Sequence, residues 1–103
     1  MPTKSLNLTE HQQAALERLI YVARADTGQS RRVASFLLAW WNAAECGGFD
    51  LTDLWGVDRA IADDMLIILA LLSRCACYPD TFGYCPQFAA LVQEWRPTLG
   101  AKP

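Results

Sequence analysis

Histidine is almost absent from this chain, since His11 is the single example in 103 residues. A catalytic triad or a histidine general base would have to use it, and such designs need a partnered, positioned base. His11 instead falls in the first turn of a predicted amphipathic helix, where we expect it to be exposed. Glycine-rich phosphate loops are missing as well, because the pair Gly47-Gly48 alone does not make one. We therefore expect a protein that is not an enzyme.

Long hydrophobic runs are also lacking. The longest unbroken apolar stretch covers residues 65–72, whereas a membrane-spanning helix needs about 20 apolar residues. The first ten residues are polar and contain no apolar signal core. We expect a cytoplasmic protein that makes no contact with a membrane.

Basic charge is not in excess. The chain carries 9 lysines and arginines against 11 aspartates and glutamates, which gives a net charge of −2. Domains that bind nucleic acid usually have a basic surface, so nucleic acid is not the expected partner. The acidic side chains are densest in residues 45–64, where they could steer a basic protein partner. The alternative is that they serve as helix caps and favour the positive ends of helix dipoles.

Apolar and aromatic side chains are abundant by contrast. Hydrophobic residues make up 52% of the sequence, with four Trp, four Phe and three Tyr. This is enough for one core in a chain of this length, and it leaves aromatic side chains for a partner. We predict a single domain over residues 1–103, ordered over about 8–97 with short flexible termini. The apolar surplus also makes a homodimer reasonable.

Capping signals and hydrophobic spacing predict two helices in the first half of the chain. The first starts after Thr9, which forms a capping box with Gln12, and Gly28 should end it. The second is capped by Ser30 and runs to about Cys46.

The second half of the chain predicts a short helical turn and two further helices. The turn lies within residues 48–56, and four apolar side chains should tuck inward there: Phe49, Leu51, Leu54 and Trp55. The third helix, roughly residues 59–75, is apolar all round in its middle and should be the core helix. The last helix starts at Pro86 and ends at Pro97. The predicted fold class is all-α, a compact single-domain bundle of about four main helices plus this turn.

Trp40 and Trp41 give the first candidate for a binding surface. Adjacent helix residues point about 100° apart, so Trp40 should belong to the core stripe and Trp41 should lie at its margin. Tryptophan is enriched at interaction hot spots, although plain core packing is the alternative for Trp41. The predicted partner-binding residues are Leu38, Trp41, Glu45, Asp50, Asp53, Asp63 and Asp64.

Two further clusters give alternative functions. The four cysteines, Cys46, Cys75, Cys77 and Cys85, lack the usual zinc spacing, but a shared corner of the fold could bring them together around zinc. Otherwise they are small buried hydrophobic residues, and no cofactor is expected. The arginines Arg24, Arg31 and Arg32 lie near the junction of the first two helices and could contact phosphate. The alternative is a solvated basic edge, which could pair with the acidic stretch within the protein or across a dimer.

Three segments carry a resemblance to a known family: TGQSRRVA (27–34), LLAWWNA (37–43) and GGFDLTDLW (47–55). They resemble a family of small proteins carried by plasmids and integrative conjugative elements of proteobacteria such as Pseudomonas, over roughly residues 15–97. The family implies no activity and no functional residue. Its setting implies a non-catalytic protein-binding module of a mobile genetic element, an inhibitor of a host defence complex of the CRISPR type. A nucleic-acid-contacting regulator and a zinc-binding protein remain the alternatives.

Overall fold

Helix α1, Glu10–Ala23, begins at the predicted capping box. In the computed structural model, which describes residues 7–100, Thr9 Oγ1 accepts a hydrogen bond from the backbone N–H of Gln12 at 3.0 Å. The Gln12 side chain accepts one from the backbone N–H of Thr9, also at 3.0 Å. These reciprocal bonds satisfy donors that a helix start otherwise leaves free. The predicted flexibility of the chain ends falls for the most part outside the described residues.

Helix α2, Gly28–Cys46, begins earlier than predicted. Thr27 is its N-cap, and the Thr27 hydroxyl accepts from the backbone N–H of Ser30 at 3.0 Å and pairs with the Ser30 hydroxyl at 2.8 Å. The predictions that Gly28 ends α1 and that Ser30 caps α2 are therefore wrong. Thr27 offers a cap three residues ahead of Ser30, and α1 has already ended at Ala23.

A break interrupts α2 near its C-terminal end. The backbone of Asn42 is extended, with φ −164° and ψ 79°. Its side-chain oxygen accepts a hydrogen bond from the backbone N–H of Glu45 at 3.2 Å, as an N-cap residue does. The last turn of α2 is therefore capped separately from the rest of the helix.

The remaining elements follow in chain order. They are a 3₁₀ helix at Leu51–Gly56, α3 at Arg59–Leu72, a second 3₁₀ helix at Pro79–Phe82, α4 at Cys85–Trp95 and the short α5 at Pro97–Gly100. No strand occurs among residues 7–100, so the all-α, single-domain prediction is confirmed. Within the same residues no helix is both long enough and apolar enough to cross a membrane.

The core lies mainly between α1, α2 and α4. Helix α1 packs against α2 and α3, while α2 packs against α4 on another side. Each buried large apolar side chain stabilises the fold by about 1.5–3 kcal/mol relative to exposure. The fully buried members are Leu16, Leu19, Val33, Leu37, Leu38, Met65, Ile68, Phe88 and Leu91.

Helix α3 lies at the edge of the fold, so the prediction that it is the core helix is wrong. Its extensive contacts are with α1, because α4 occupies the space against α2 that a central helix would need. Only Asp64, Met65 and Ile68 of α3 are buried. The molecule is flat, with extents of 44 × 38 × 21 Å, and much of the apolar surface of α3 faces outward.

Candidate functional site

The structure separates the two apolar residues of the predicted binding surface. Leu38 is fully buried in the core, so its assignment to a partner-binding surface is wrong. Trp41 is half-buried, with its ring packed edge-on against Phe88 at 6.0 Å between centroids. Its indole N–H donates to Asp80 Oδ1 at 2.9 Å. Trp41 therefore ties α2 to the second 3₁₀ helix.

Two of the predicted acidic residues are engaged within the protein. Asp64 is buried and accepts two hydrogen bonds from the guanidinium of Arg18, each at 2.9 Å. This bidentate pair holds α3 against α1. Asp53 lies opposite Arg32, with 3.6 Å between Oδ1 and Nε. Neither carboxylate is an unpaired charge for a partner.

The other three predicted carboxylates differ from one another. Asp50 Oδ1 accepts from the Thr52 backbone N–H at 3.0 Å and from its hydroxyl at 2.8 Å, and these bonds lower the pKa of Asp50. Glu45 and Asp63 are exposed, and neither side chain has a hydrogen bond or ion pair within residues 7–100. The acidic stretch is therefore not one continuous acidic surface.

Arg32, one of the three arginines of the predicted nucleic-acid cluster, is engaged in contacts within the protein. Its Nε is buried without a hydrogen bond and faces Asp53. The guanidinium lies so close to Gly56 that a Cβ there would be 2.5 Å from Arg32 Nε. Arg32 therefore fastens the first 3₁₀ helix to α2, and only Arg24 and Arg31 of the predicted cluster remain exposed.

The structure does not bring together the four cysteines of the zinc alternative. Cys46 and Cys77 are buried, Cys75 is half-buried and Cys85 is exposed. Burial raises the pKa of the Cys46 thiol, and burial together with Cys75 raises that of Cys77 to about 11. In the part of the chain that the structure describes, no three side chains of the His, Cys, Asp or Glu type are placed to hold a metal.

The first 3₁₀ helix presents a tryptophan to solvent. Trp55 is 85% exposed and Leu51 70% exposed, so the prediction that both tuck inward is wrong. Phe49 and Leu54 do pack against the core, and the ring of Phe49 contacts Phe36 at 5.3 Å between centroids. Successive residues of a 3₁₀ helix point about 120° apart. With Leu54 turned inward, Trp55 points away from the core.

Trp55 shares an exposed apolar surface with α3. Ala62, Leu66 and Leu69 follow one another at helical spacing on α3, and Leu66 is 51% exposed. Trp55, Ala62 and Leu66 line a common groove of about 410 Å³. We call Trp55, Ala62, Leu66 and Leu69 the Trp55 face. An exposed tryptophan alone presents about 200 Å² of mostly apolar surface.

A second groove, the α1–α3 groove, lies on the other side of α3. It has a volume of about 790 Å³, and apolar side chains such as Val22, Ile61 and Ile67 line it. Tyr21, also in the lining, is 80% exposed. Four charged residues contribute to the lining, and two of them, Asp63 and Asp64, belong to the predicted binding surface.

Glu17 on the α1–α3 groove is held by a buried tyrosine. The Tyr84 hydroxyl donates to Glu17 Oε2 at 2.8 Å, and the Gln13 amide donates to the same oxygen at 3.2 Å. The tyrosine bond, followed by the glutamine bond, lowers the pKa of Glu17. Burial, followed by the bond to Glu17, raises the pKa of Tyr84 to about 12.

These observations define a small all-α domain with an apolar surface beside its edge helix. A family model matches residues 13–96, and the chain belongs to that family, DUF7673, a family of unknown function. No curated protein and no solved structure matches the chain.

Sequence reasoning missed Trp55 as a surface residue, although one signal was present. The unbroken apolar stretch of α3, residues 65–72, can be buried completely only if neighbours surround it. The three other long helices can surround α3 only if α3 lies at the centre of the fold. The alternative, an edge helix with an outward apolar face, points to the residues next to it, and Trp55 is one of these.

Proposed function

We propose that this protein is a non-catalytic protein-binding module that contacts its partner through the Trp55 face. One observation carries the proposal, namely that an 85% exposed tryptophan lies in the same groove as the exposed Leu66. Exposed apolar patches mark interaction sites, and tryptophan is enriched among the residues that dominate binding energy. Covering Trp55 and Leu66 with a partner would remove this surface from water.

The non-catalytic part of the proposal rests on the chemistry of the Trp55 face. Its four members are apolar, and the nearest charged group in the same groove is Arg59. A guanidinium stays protonated in proteins, so it does not act as a base or a nucleophile. This surface offers burial and packing.

The biological setting follows the family resemblance and is part of the proposal. The protein is a product of a mobile genetic element, and its partner is a host defence complex of the CRISPR type. Recognition would depend on apolar burial by the Trp55 face more than on mimicry of nucleic-acid phosphates. The reason is that Asp53 and Asp64 are already paired within the protein, with Arg32 and Arg18 respectively.

A comparison of Trp55→Ala with Tyr78→Ala tests the proposal. Tyr78 is a 59% exposed aromatic residue that does not line the groove of Trp55, so it is a matched control. Each tagged variant is used to capture proteins from nuclease-treated lysate of a bacterial host. We expect the native chain and Tyr78→Ala to retain the same host complex and Trp55→Ala to lose it. Equal capture by Trp55→Ala, with all three chains folded, would contradict the proposal.

A further inference from the structure

We propose that the α1–α3 groove binds a cationic amphipathic helix of a partner protein. This inference rests on the proposed function, because it assumes a protein partner, and it adds the chemistry of that partner at a second surface. The groove runs between two helices and has a volume of about 790 Å³.

The lining of the groove suits the apolar face of a helix. Val22 from α1 and Ile61 and Ile67 from α3 supply half-buried branched side chains, while Ala14 and Ala60 leave space between them. A helix that docks in a groove inserts apolar anchors spaced three and four residues apart. The exposed ring of Tyr21 adds an aromatic surface against which such an anchor can pack.

The charge of the groove selects a basic partner. Three carboxylates, Glu17, Asp63 and Asp64, and one guanidinium, Arg18, line it, which leaves a net charge of −2 with the exposed His11 of the lining counted as neutral. The guanidinium is already bound by Asp64 at 2.9 Å, and this pair leaves Glu17 and Asp63 as the two charges without a cationic partner among residues 7–100. Lysine or arginine side chains flanking an apolar stripe would complement Glu17 and Asp63.

The same charge argues against a second copy of this chain as the occupant. A symmetric dimer places the same surface on both subunits, so two grooves of net charge −2 would face each other. Like charges across an interface oppose association. Nucleic acid would be repelled for the same reason.

Glu17 is also held in place before a partner arrives. The hydroxyl of Tyr84 and the amide of Gln13 both donate to one of its oxygens, which leaves the other oxygen free for a partner. Fixing a side chain in advance reduces the entropy lost on binding. A basic partner would therefore find one carboxylate in a fixed position and a second, Asp63, without a competing bond.

Two synthetic peptides test the inference. One is a fluorescently labelled helix of about 15 residues with leucines at helical spacing and lysines on the flanks, and the other carries glutamate in place of each lysine. We expect the lysine peptide to bind the native chain, more weakly at high salt, and the glutamate peptide not to bind. The measurement is fluorescence anisotropy as the protein is titrated. No binding of the lysine peptide, or equal binding of both peptides, would overturn the inference.

Two charge reversals locate the binding. Asp63→Lys should lower the affinity for the lysine peptide by about tenfold or more, because it reverses one member of a close charge pair. Glu45→Lys changes the net charge by the same amount at an exposed position outside the groove lining, and it should have a much smaller effect. If both variants lower the affinity equally, the effect comes from the overall charge of the protein and the inference is overturned.

Trp55→Ala separates this inference from the proposed function. The peptide should bind Trp55→Ala as it binds the native chain, because Trp55 does not line the α1–α3 groove. If Trp55→Ala loses the peptide and Asp63→Lys retains it, the peptide binds the Trp55 face and the groove assignment is overturned. A dimer in sedimentation that Asp63→Lys dissociates would assign the groove to a second copy and overturn it as well. If only the lysate capture fails, the proposed function is contradicted and the peptide results still support the groove.

Discussion

At the scale of single residues, Leu38 and Leu66 are two leucines with opposite roles. Leu38 is fully buried between packed helices, while Leu66 is half-exposed on α3. Truncating a buried leucine removes its packing and leaves a cavity. The same change at an exposed position removes little that water does not replace.

Leu38→Ala should therefore lower the free energy of unfolding by about 2–5 kcal/mol. Leu66→Ala should lower it by less than about 1 kcal/mol, because its side chain loses less buried area. Urea denaturation of both variants measures the difference. A Leu38→Ala variant as stable as the native chain would mean that Leu38 is not in the core.

The hydrogen bond between Tyr84 and Glu17 gives a pH dependence. The pKa of Tyr84 in the folded chain is raised to about 12, first by burial and then by the Glu17 carboxylate. In the unfolded chain the ordinary value is about 10. The neutral phenol therefore contributes stability that is complete below about pH 10 and is lost as the pH rises through about 12.

Tyr84→Phe should reduce the loss of stability between about pH 10 and pH 12. Tyr21→Phe is the matched control, because Tyr21 is exposed and belongs to the same helix as Glu17. The measurement is the urea midpoint as a function of pH, together with tyrosinate absorbance of the folded proteins. An alkaline loss that is the same in the native chain and in Tyr84→Phe would contradict this assignment.

At the scale of elements, the attachment of the first 3₁₀ helix decides where Trp55 points. Arg32 reaches from α2 to Asp53 and packs on Gly56. A Cβ at position 56 would overlap the guanidinium, with 2.5 Å to Nε and 2.6 Å to Cζ. The Arg32 side chain would have to move, and its ion pair with Asp53 would be lost.

Gly56→Ala should lower the free energy of unfolding by about 1 kcal/mol, the low end of the range for an added methyl in a tight contact, because the obstacle is the end of the Arg32 side chain. Gly48→Ala is the control, because a Cβ at Gly48 meets nothing within 4 Å. Combining Gly56→Ala with Arg32→Ala should remove most of the additional cost, which a double-mutant cycle measures. Additive effects of the two changes would show that the guanidinium is not the obstacle.

The sequence predicts the helices well where the signal is local. The capping box of Thr9 and Gln12 locates the start of α1, and α3 begins at Arg59, where the sequence predicts it. Gly28 and Ser30 were misassigned because Thr27 has the same capping chemistry as Ser30 and lies three residues earlier. Which of two nearby hydroxyl residues caps a helix depends on where the chain turns, and composition does not decide it.

At the scale of the whole molecule, the position of α3 decides the candidate site. An all-round apolar helix is compatible with a central or an edge position, and packing of α4 against α2 leaves α3 at the edge. This placement exposes Leu66 and opens a groove on each side of the helix. The sequence predicts the apolar content of α3 but not which neighbours it acquires.

Two carboxylates of the predicted acidic surface are paired with arginines of other elements, and their pairing also depends on which neighbours an element acquires. Asp64 meets Arg18 across 46 residues of sequence, and Asp53 meets Arg32 from a different helix. Such long-range pairs follow from packing and are not readable from charge spacing. Glu45 and Asp63 are predicted carboxylates that have no side-chain partner among residues 7–100, and Asp63 lies on the α1–α3 groove.

Photocrosslinking in a bacterial host tests the central claim, that the Trp55 face binds a protein, most directly. A photoreactive phenylalanine analogue replaces Trp55, Leu66 or Tyr78 in separate chains, and adducts formed on illumination are identified by mass spectrometry. We predict that positions 55 and 66 crosslink to the same host protein, a component of a defence complex, and that position 78 does not. Adducts from position 78 alone, or no adduct at 55 and 66 in a folded chain, would contradict the account.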